Sequence, residues 1–502
     1  MSRIVESLDR IKTSLFHRTD HSKSSVIDPL PTCFWVEITN CCNFQCTFCA
    51  YPYMTRKKTY MDYPSFKKVI DMLTDSGIVR KNPLVGLHML GEPLLHPEIY
   101  RFIDYMNSRG LAADLVTNGL LLNEDVIDRL MSYNVARLTV SIQSPSRASY
   151  EEARVGAIKG WSEYIDTIKR SVVRYLEIAN EKKIGGLLRL DVLFMTTFNY
   201  IPRMKGFRSW FEVRRVLDEW REIVEQVRTG NAIEFDVSHE ADGISKFLIC
   251  RLNDKVLNFS VREAGTWAGS LEAGRRLEPV TEGTCLLPNM QLIVLANGDV
   301  TVCCEDYDGQ LVIGNVHRNP IADIWMGDRA RNIRDGFSQN KVISRFCQNC
   351  FACRRITTTD VIEDNFFNFE RWGADGRVFQ WMRKRASSII CRQPGFARLS
   401  FSALTASPCS RDAPQPLFIR VEDGERQEFS MPQPYKWYSF EMDLPRTDAR
   451  PYLVASFETD RVFVPSRSGA SIDSRELGAA IALPFYQKNN PLSGQCGLQG
   501  MD

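Results

Sequence analysis

Between residues 34 and 237 short apolar runs alternate with amphipathic stretches, a pattern that confines the chain to a layered α/β fold. Phe34 to Ile38 reads as a first strand. Asp62 caps a helix that begins near Pro64, carries Phe66, Val69, Ile70 and Leu73 on one face, and ends at Asp75-Ser76-Gly77. Leu84 to Met89 is a second strand. Pro97 then starts a helix with Ile99, Phe102, Ile103 and Met106 inward and Gly110 as C-cap. Further strands are expected over Ala112 to Val116, Ala136 to Ile142, Leu187 to Met195 and Ile233 to Val237. Helices over Asn123 to Tyr133, Trp161 to Asn180 and Trp210 to Arg228 separate them. Strand–helix–strand units at this pitch give right-handed crossovers and a parallel sheet. Ligands of such sheets bind at the carboxyl edge of the strands. Four polar signatures fall on that edge: a cysteine loop after the first strand, then Glu92, Asn118 and Gln143.

The loop places Cys42, Cys46 and Cys49 in C-x3-C-x2-C spacing. Thiolates are soft ligands that select iron–sulfur clusters, zinc or Cu(I). A [4Fe–4S] cluster takes four of them, one per iron. Three with no fourth nearby leave an iron open to a small molecule. A zinc site calls for a second close pair, and the next cysteine is Cys250.

With Thr39-Asn40 before it and Phe48 within it, this stretch resembles the radical S-adenosylmethionine (radical SAM) family. There, three cysteines hold a [4Fe–4S] cluster whose fourth iron binds the amino and carboxylate groups of SAM. The family spacing selects Cys42 rather than Cys41, which is left a structural role. The six strand–helix units resemble the family's partial (β/α)6, TIM-like barrel. Gly91-Glu92-Pro93 resembles the GGEP motif, with Leu90 in place of its first glycine; the resemblance implies that Glu92 meets the SAM amino group and Gly91 permits close backbone approach. It also implies ribose binding by Ser141, carboxylate pairing by Arg154 and adenine packing by Phe48. Thr117-Asn118-Gly119 can be read as a turn alone. His88 and His96 flank the motif, and structural roles are expected for both. No catalytic acid or base can be named.

A second cysteine group follows. Cys285, a hairpin turning at Asn297-Gly298 and ending in Cys303-Cys304, and the pair Cys347 and Cys350 can surround one metal with four sulfurs. Neighbours in a strand point to opposite faces, so one of Cys303 and Cys304 is a ligand, and Cys303 is the choice. A four-cysteine zinc ribbon satisfies the same spacing. The pattern resembles the SPASM/twitch extension of radical SAM enzymes, which binds auxiliary [4Fe–4S] clusters. Cys353 departs from the full seven-cysteine pattern, so one auxiliary cluster is implied.

The remaining composition excludes more than it assigns. Lys+Arg of 63 against Asp+Glu of 61 leaves a formal charge of +2, which gives no electrostatic footprint for nucleic acid. No apolar run is long enough to span a membrane. Fifteen cysteines, odd in number and clustered, fit metal ligation in a reducing cytoplasm rather than a disulfide framework. The domain boundaries expected are a lead-in over 1–31, a barrel over 32–275 and an auxiliary-cluster domain over 280–355. A helical linker over 356–388, an all-β sandwich-like domain over 389–486 and a disordered tail over 487–502 complete the chain.

What the resemblance implies is reductive cleavage of SAM to methionine and a 5′-deoxyadenosyl radical, followed by hydrogen abstraction from a substrate. A reducing partner such as flavodoxin or ferredoxin would supply the electron. A single-cluster extension resembles enzymes that dehydrogenate or epimerise carbinols, and Ser471 to Gly478 faintly resembles a segment of β-domains attached to glycan-modifying enzymes. The substrate expected is therefore a small molecule, sugar-like or a cyclitol. A peptide or protein maturase that installs crosslinks or formylglycine is the alternative. A non-catalytic iron–sulfur or zinc scaffold is the reading from another class.

Overall fold

The computed structural model describes residues 30–486 except 80–83, 156–157, 182–184, 197–205, 228–236, 240–243, 264–266, 268–278, 284, 351–365, 373–376, 383, 392–397, 408, 410–411, 445–451 and 464–476. The expected lead-in up to residue 29, the tail over 487–502 and most of Ser471 to Gly478 lie outside the described residues.

The parallel sheet forms as its residue pattern requires. Strands β1 (Cys33–Val36), β2 (Leu84–Gly86), β3 (Ala112–Thr117), β4 (Val135–Gln143) and β5 (Arg189–Thr196) lie side by side in chain order. Between them run helices α1 (Tyr63–Asp75), α2 (Ile99–Ser108), α3 (Glu124–Leu130), α4 (Arg147–Ala153) and α5 (Trp161–Glu181). Each helix begins where its chemistry permits. The Asp62 carboxylate accepts the Ser65 N–H at 2.8 Å, and the Asn123 amide oxygen accepts that of Val126 at 2.9 Å. Helix α1 buries Phe66, Val69, Ile70 and Leu73, and α2 buries Ile99, Phe102, Ile103 and Met106, the faces expected from periodicity. Each such side chain contributes about 1.5–3 kcal/mol by leaving water.

Helix α6 (Trp210–Val227) follows β5, and here the expected order fails. The sixth parallel strand is not Ile233 to Val237. Residues 228–236 lie outside the described part, and Val237 begins β6 (Val237–His239), an antiparallel strand at the sheet's far edge. The parallel place beside β5 is taken by β8 (Lys255–Glu263), returning from β7 (Ile244–Leu252) through a two-residue turn. Asn253 in that turn has φ 57°, a left-handed conformation that asparagine tolerates.

The sheet continues across the boundary expected between barrel and auxiliary-cluster domain. Strand β9 (Gln291–Val294) pairs in parallel with β1, Cys33 opposite Gln291, and β10 (Asp299–Thr301) and β11 (Gly314–Asn315) extend that edge. The strand before the trio and the strands before Cys303 thus belong to one eleven-stranded sheet.

Instead of the expected helical linker, strands Phe366–Trp372 and Arg377–Met382 join a five-stranded antiparallel sheet. Their aromatic-rich sequences favour a pleated surface over a helix. A four-stranded sheet completes the sandwich. Its core draws Leu399, Phe401 and Ile481 from one sheet and Leu417, Ile419 and Phe457 from the other. The sandwich packs on the barrel: the Tyr452 hydroxyl donates to the Leu248 carbonyl oxygen at 2.8 Å, and Arg214 of α6 pairs with buried Glu422.

Candidate active site

The cysteine loop is held from both sides. Asn40 donates to the Lys57 carbonyl oxygen at 3.0 Å and accepts from the Thr59 N–H at 2.7 Å. The Thr39 hydroxyl donates to the Thr59 carbonyl oxygen at 2.9 Å. A short antiparallel bridge pairs Cys46 with Arg154. The Tyr51 hydroxyl accepts from the Cys42 N–H at 3.1 Å, and the Tyr51 N–H donates to Cys49 Sγ at 3.4 Å. Cys41 aims its thiol at the Thr59 carbonyl oxygen, 3.9 Å away, as its structural role requires.

Burial pushes the Cys42 thiol up to about 11 and the Cys49 thiol to about 12, with neighbouring cysteines adding to both shifts. Thiols so raised become thiolates when a cation binds them. Among the described residues no three Cys, His, Asp or Glu side chains converge tightly enough for a single metal ion. A cubane cluster spreads its ligands over separate irons, one sulfur each. Two buried donors, Asn43 Nδ2 and Arg154 Nε, have no hydrogen-bond partner. Unpaired donors beside three thiols fit a ligand rich in acceptors, as cluster sulfides and a SAM carboxylate are.

Glu92, 1% exposed, follows β2 on the same edge. Its Oε1 accepts from the Thr117 hydroxyl at 2.8 Å and the Leu94 N–H at 3.0 Å; its Oε2 accepts from the Asn118 N–H at 2.7 Å. Burial nevertheless holds its pKa above the carboxylate range, against those bonds and Arg154. A cationic ligand would favour the ionised form. Gly91 permits a close approach, but to protein: a Cβ there would stand 2.3 Å from the Thr39 carbonyl oxygen and 2.7 Å from that of Cys41.

Arg154 is 3% exposed, with Nη1 donating to Cys46 Sγ at 3.2 Å. Nη2 donates to the carbonyl oxygens of Ser141 and Ile142, the latter at 2.8 Å. The Phe48 ring lies beside the guanidinium, 5.2 Å from its carbon to the ring centroid. The Ser141 hydroxyl accepts from Gln143 Nε2 at 2.7 Å. Gln143 has φ 61° where the β4–β5 register shifts, so the strand ends in a left-handed kink. Trio, Glu92, Ser141, Arg154 and Phe48 are thus neighbours on one edge.

Sequence reasoning undervalued Asn118. Its Nδ2 donates to Asn43 Oδ1 at 2.7 Å and reaches Cys42 Sγ at 3.7 Å, while its N–H holds Glu92. Glu37, inside an apolar strand, was missed outright. It is fully buried and receives a fork from Arg56, at 2.7 and 2.8 Å. Arg56 Nε donates to the Tyr307 carbonyl oxygen at 2.8 Å, and the Thr55 N–H to Asp308 Oδ1 at 2.6 Å. These bonds tie the segment after the trio to the segment after Cys303-Cys304. Only the charge of a residue between apolar neighbours, Glu37 in Val36-Glu37-Ile38, hinted at this.

The histidines are structural. His88 accepts from Trp35 Nε1 at 3.2 Å and donates from Nδ1 to the Asp114 carbonyl oxygen at 3.3 Å, in the tautomer those contacts select. His96 donates from Nε2 to the Met61 carbonyl oxygen at 2.9 Å and accepts the Glu98 N–H at 3.1 Å.

Below the edge, Asp114, Arg137, Thr139, Asp191 and Asn258 share the sheet face opposite Leu115, Leu138, Val192 and Phe259, which pack in the apolar core. Arg137 forks onto Asp114 at 2.8 and 2.6 Å, and Asn258 donates to Asp191 at 2.8 Å. The inner face of the barrel is therefore polar.

The second cysteine group also converges. Cys303, Cys347 and Cys350 are buried in one small cluster with Leu311, Phe337, Val342 and Phe346, and Cys285 packs against it. Burial pushes Cys347 up to about 12, with Cys285 and Cys350 adding to the shift. Cys304 turns away: its N–H donates to Gln291 Oε1 at 2.9 Å, and Gln291 Nε2 reaches its sulfur at 3.6 Å. Cys353 lies outside the described residues.

Comparison with known proteins places this geometry. The model of the radical SAM superfamily matches residues 36–177, and that of an iron–sulfur cluster-binding domain, SPASM, matches residues 285–351. These domains imply a SAM-binding [4Fe–4S] cluster, an auxiliary cluster and SAM. An AdoMet-dependent heme synthase of Nitratidesulfovibrio vulgaris is 29% identical over 28% of this chain and 37% of its own. A PqqA peptide cyclase of Gluconobacter oxydans is 25% identical over 26% of this chain and 35% of its own. The chain thus spans about a third of the length of these relatives. A crystal structure of BtrN in complex with AdoMet and 2-DOIA aligns at TM-score 0.38 and 15% identity, over 66% of this chain and 96% of that one. Among the described residues no helix is long and apolar enough to cross a membrane.

Proposed function

We propose that this chain, which belongs to the radical SAM superfamily and carries a SPASM domain, abstracts hydrogen from a polar substrate held inside its barrel. The observation that carries the reading is the meeting on one sheet edge of three cysteine thiols, a buried carboxylate and two unpaired buried donors. When bound, a [4Fe–4S] cluster and SAM supply the electron and the 5′-deoxyadenosyl radical. Cys42, Cys46 and Cys49 supply three thiolates and leave one iron position to SAM. Glu92, fixed by Thr117, Leu94 and Asn118, offers its carboxylate to the SAM amino group. Phe48 and Ser141 flank the place left for the nucleoside. Cys285, Cys303, Cys347 and Cys350 hold the auxiliary cluster, and a flavodoxin or ferredoxin provides the electron.

The substrate favoured is sugar-like or a cyclitol, oxidised or epimerised at a carbinol carbon. The polar inner face, with Asp114, Thr139, Asp191 and Asn258, supports this reading, because hydroxyl-rich molecules need hydrogen-bonding walls. A different observation, the similarity to a PqqA peptide cyclase, favours a peptide substrate. The protein is reconstituted anaerobically, reduced with dithionite and given SAM with perdeuterated aminocyclitols or sugars, or with deuterated peptides. Deuterium in 5′-deoxyadenosine from the polyols is expected; from the peptides alone, it would establish the second reading. No 5′-deoxyadenosine under any condition removes both.

A further inference from the structure

We infer that Arg154 tunes the electron affinity of the site by donating a hydrogen bond to Cys46, a thiolate of the trio. The inference rests on the reading of Cys46 as a cluster ligand. The contact is built from both sides. Backbone pairing of Cys46 with Arg154 fixes the two residues opposite each other, and Nη1 then lies 3.2 Å from Sγ. Nη2 is committed to the carbonyl oxygens of Ser141 and Ile142 at the end of β4. The Phe44 and Phe48 rings enclose the guanidinium, with centroids 4.9 and 5.2 Å from its carbon, and keep solvent from screening it.

A fixed positive charge on a ligating sulfur stabilises the more electron-rich state, and hydrogen bonds to the sulfurs are among the factors that set cluster potentials. Arg154 therefore makes the cluster easier to reduce. The Asn118 amide, 3.7 Å from Cys42 Sγ, acts in the same direction but carries no charge.

The test is a potentiometric titration of the reconstituted full chain, followed by electron paramagnetic resonance, without SAM. The signal of the trio's cluster is identified by its change when SAM is added. Arg154→Gln should lower the reduced-to-oxidised ratio at fixed potential about tenfold, which corresponds to 59 mV for a one-electron couple. Arg154→Lys, which keeps the charge, should stay near the unaltered protein. In the unaltered protein grown on [15N]arginine, the reduced cluster should show a 15N hyperfine coupling that Arg154→Lys abolishes; this measurement stands even where the Gln variant fails to fold. An unshifted midpoint in Arg154→Gln with full iron content, or no 15N coupling in the unaltered protein, overturns the inference and leaves the proposed function standing. About four iron atoms per chain in the unaltered protein, with no SAM-responsive signal, overturns both.

Discussion

Gly91 shows how a single hydrogen atom in place of a side chain shapes the site. The motif resemblance placed it for close approach to a ligand; in the fold it lets the Glu92 segment lie on the backbone of Thr39 to Cys41. Gly91→Ala should destabilise the protein by at least about 1–3 kcal/mol through overpacking, and lower iron uptake at the trio. Denaturant unfolding and iron analysis check both. The buried Glu37–Arg56 pair gives a second prediction. Arg56→Met leaves a buried carboxylate without its fork, at a cost of about 3–5 kcal/mol. It should also cut the side-chain tie to Tyr307, so iron content should fall in both cysteine groups, read by analysis of the purified protein. The cysteines, Glu92 and Arg154 stand out in the sequence because the cysteine spacing and the Gly-Glu-Pro run are local and chemically distinctive, and the fold brings them to one edge. The partners of Arg154 and Glu37 were not, because Cys46 and Arg56 reach them only after the strands have paired.

At the scale of elements, periodicity identified α1 and α2 down to the buried residues, since a helix face is a local property. Strand pairing is not local. The run Ile233 to Val237 does not reveal that β8 takes the parallel place beside β5. Nor does Gln291 to Val294 announce that it will lie against β1, some 250 residues earlier. The helical linker failed for the opposite reason: aromatic residues among charges suggest a packed helix by composition, whereas the chain there pairs as antiparallel strands. The inner face of the barrel makes its own prediction about pH. Burial raises the pKa of Asp114, but Arg137 more than offsets this and leaves it below the usual carboxylate value. A carboxylate depressed in the folded state adds stability above its unfolded pKa, about 3.9, and loses it as pH falls through the folded value. Acid unfolding below about pH 4 should therefore be shallower in Asp114→Asn, which is also less stable at neutral pH. Denaturation curves across pH, with an identical acid limb in both proteins, would contradict this.

Across the whole molecule, the sandwich and the barrel share buried surface rather than a hinge. Tyr452 and Val454 of the sandwich lie in the barrel's apolar core, and the Phe247 and Tyr452 rings meet edge to face at 5.6 Å. Glu422 also binds Arg214 across the junction. One cooperative transition is expected, with tryptophan fluorescence and far-ultraviolet dichroism falling together on heating; two separated midpoints would show independent domains. The same economy joins the cysteine groups, which flank adjacent strands of one sheet.

The central claim is that the trio at the mouth of β1, and not the second cysteine group, is where SAM is cleaved. It is tested by replacing Cys42, Cys46 and Cys49 together with alanine and measuring iron content and 5′-deoxyadenosine after anaerobic reconstitution. The account predicts about eight iron atoms per chain and SAM cleavage in the unaltered protein, against about four and no cleavage in the variant. Continued 5′-deoxyadenosine formation by the triple variant would contradict it.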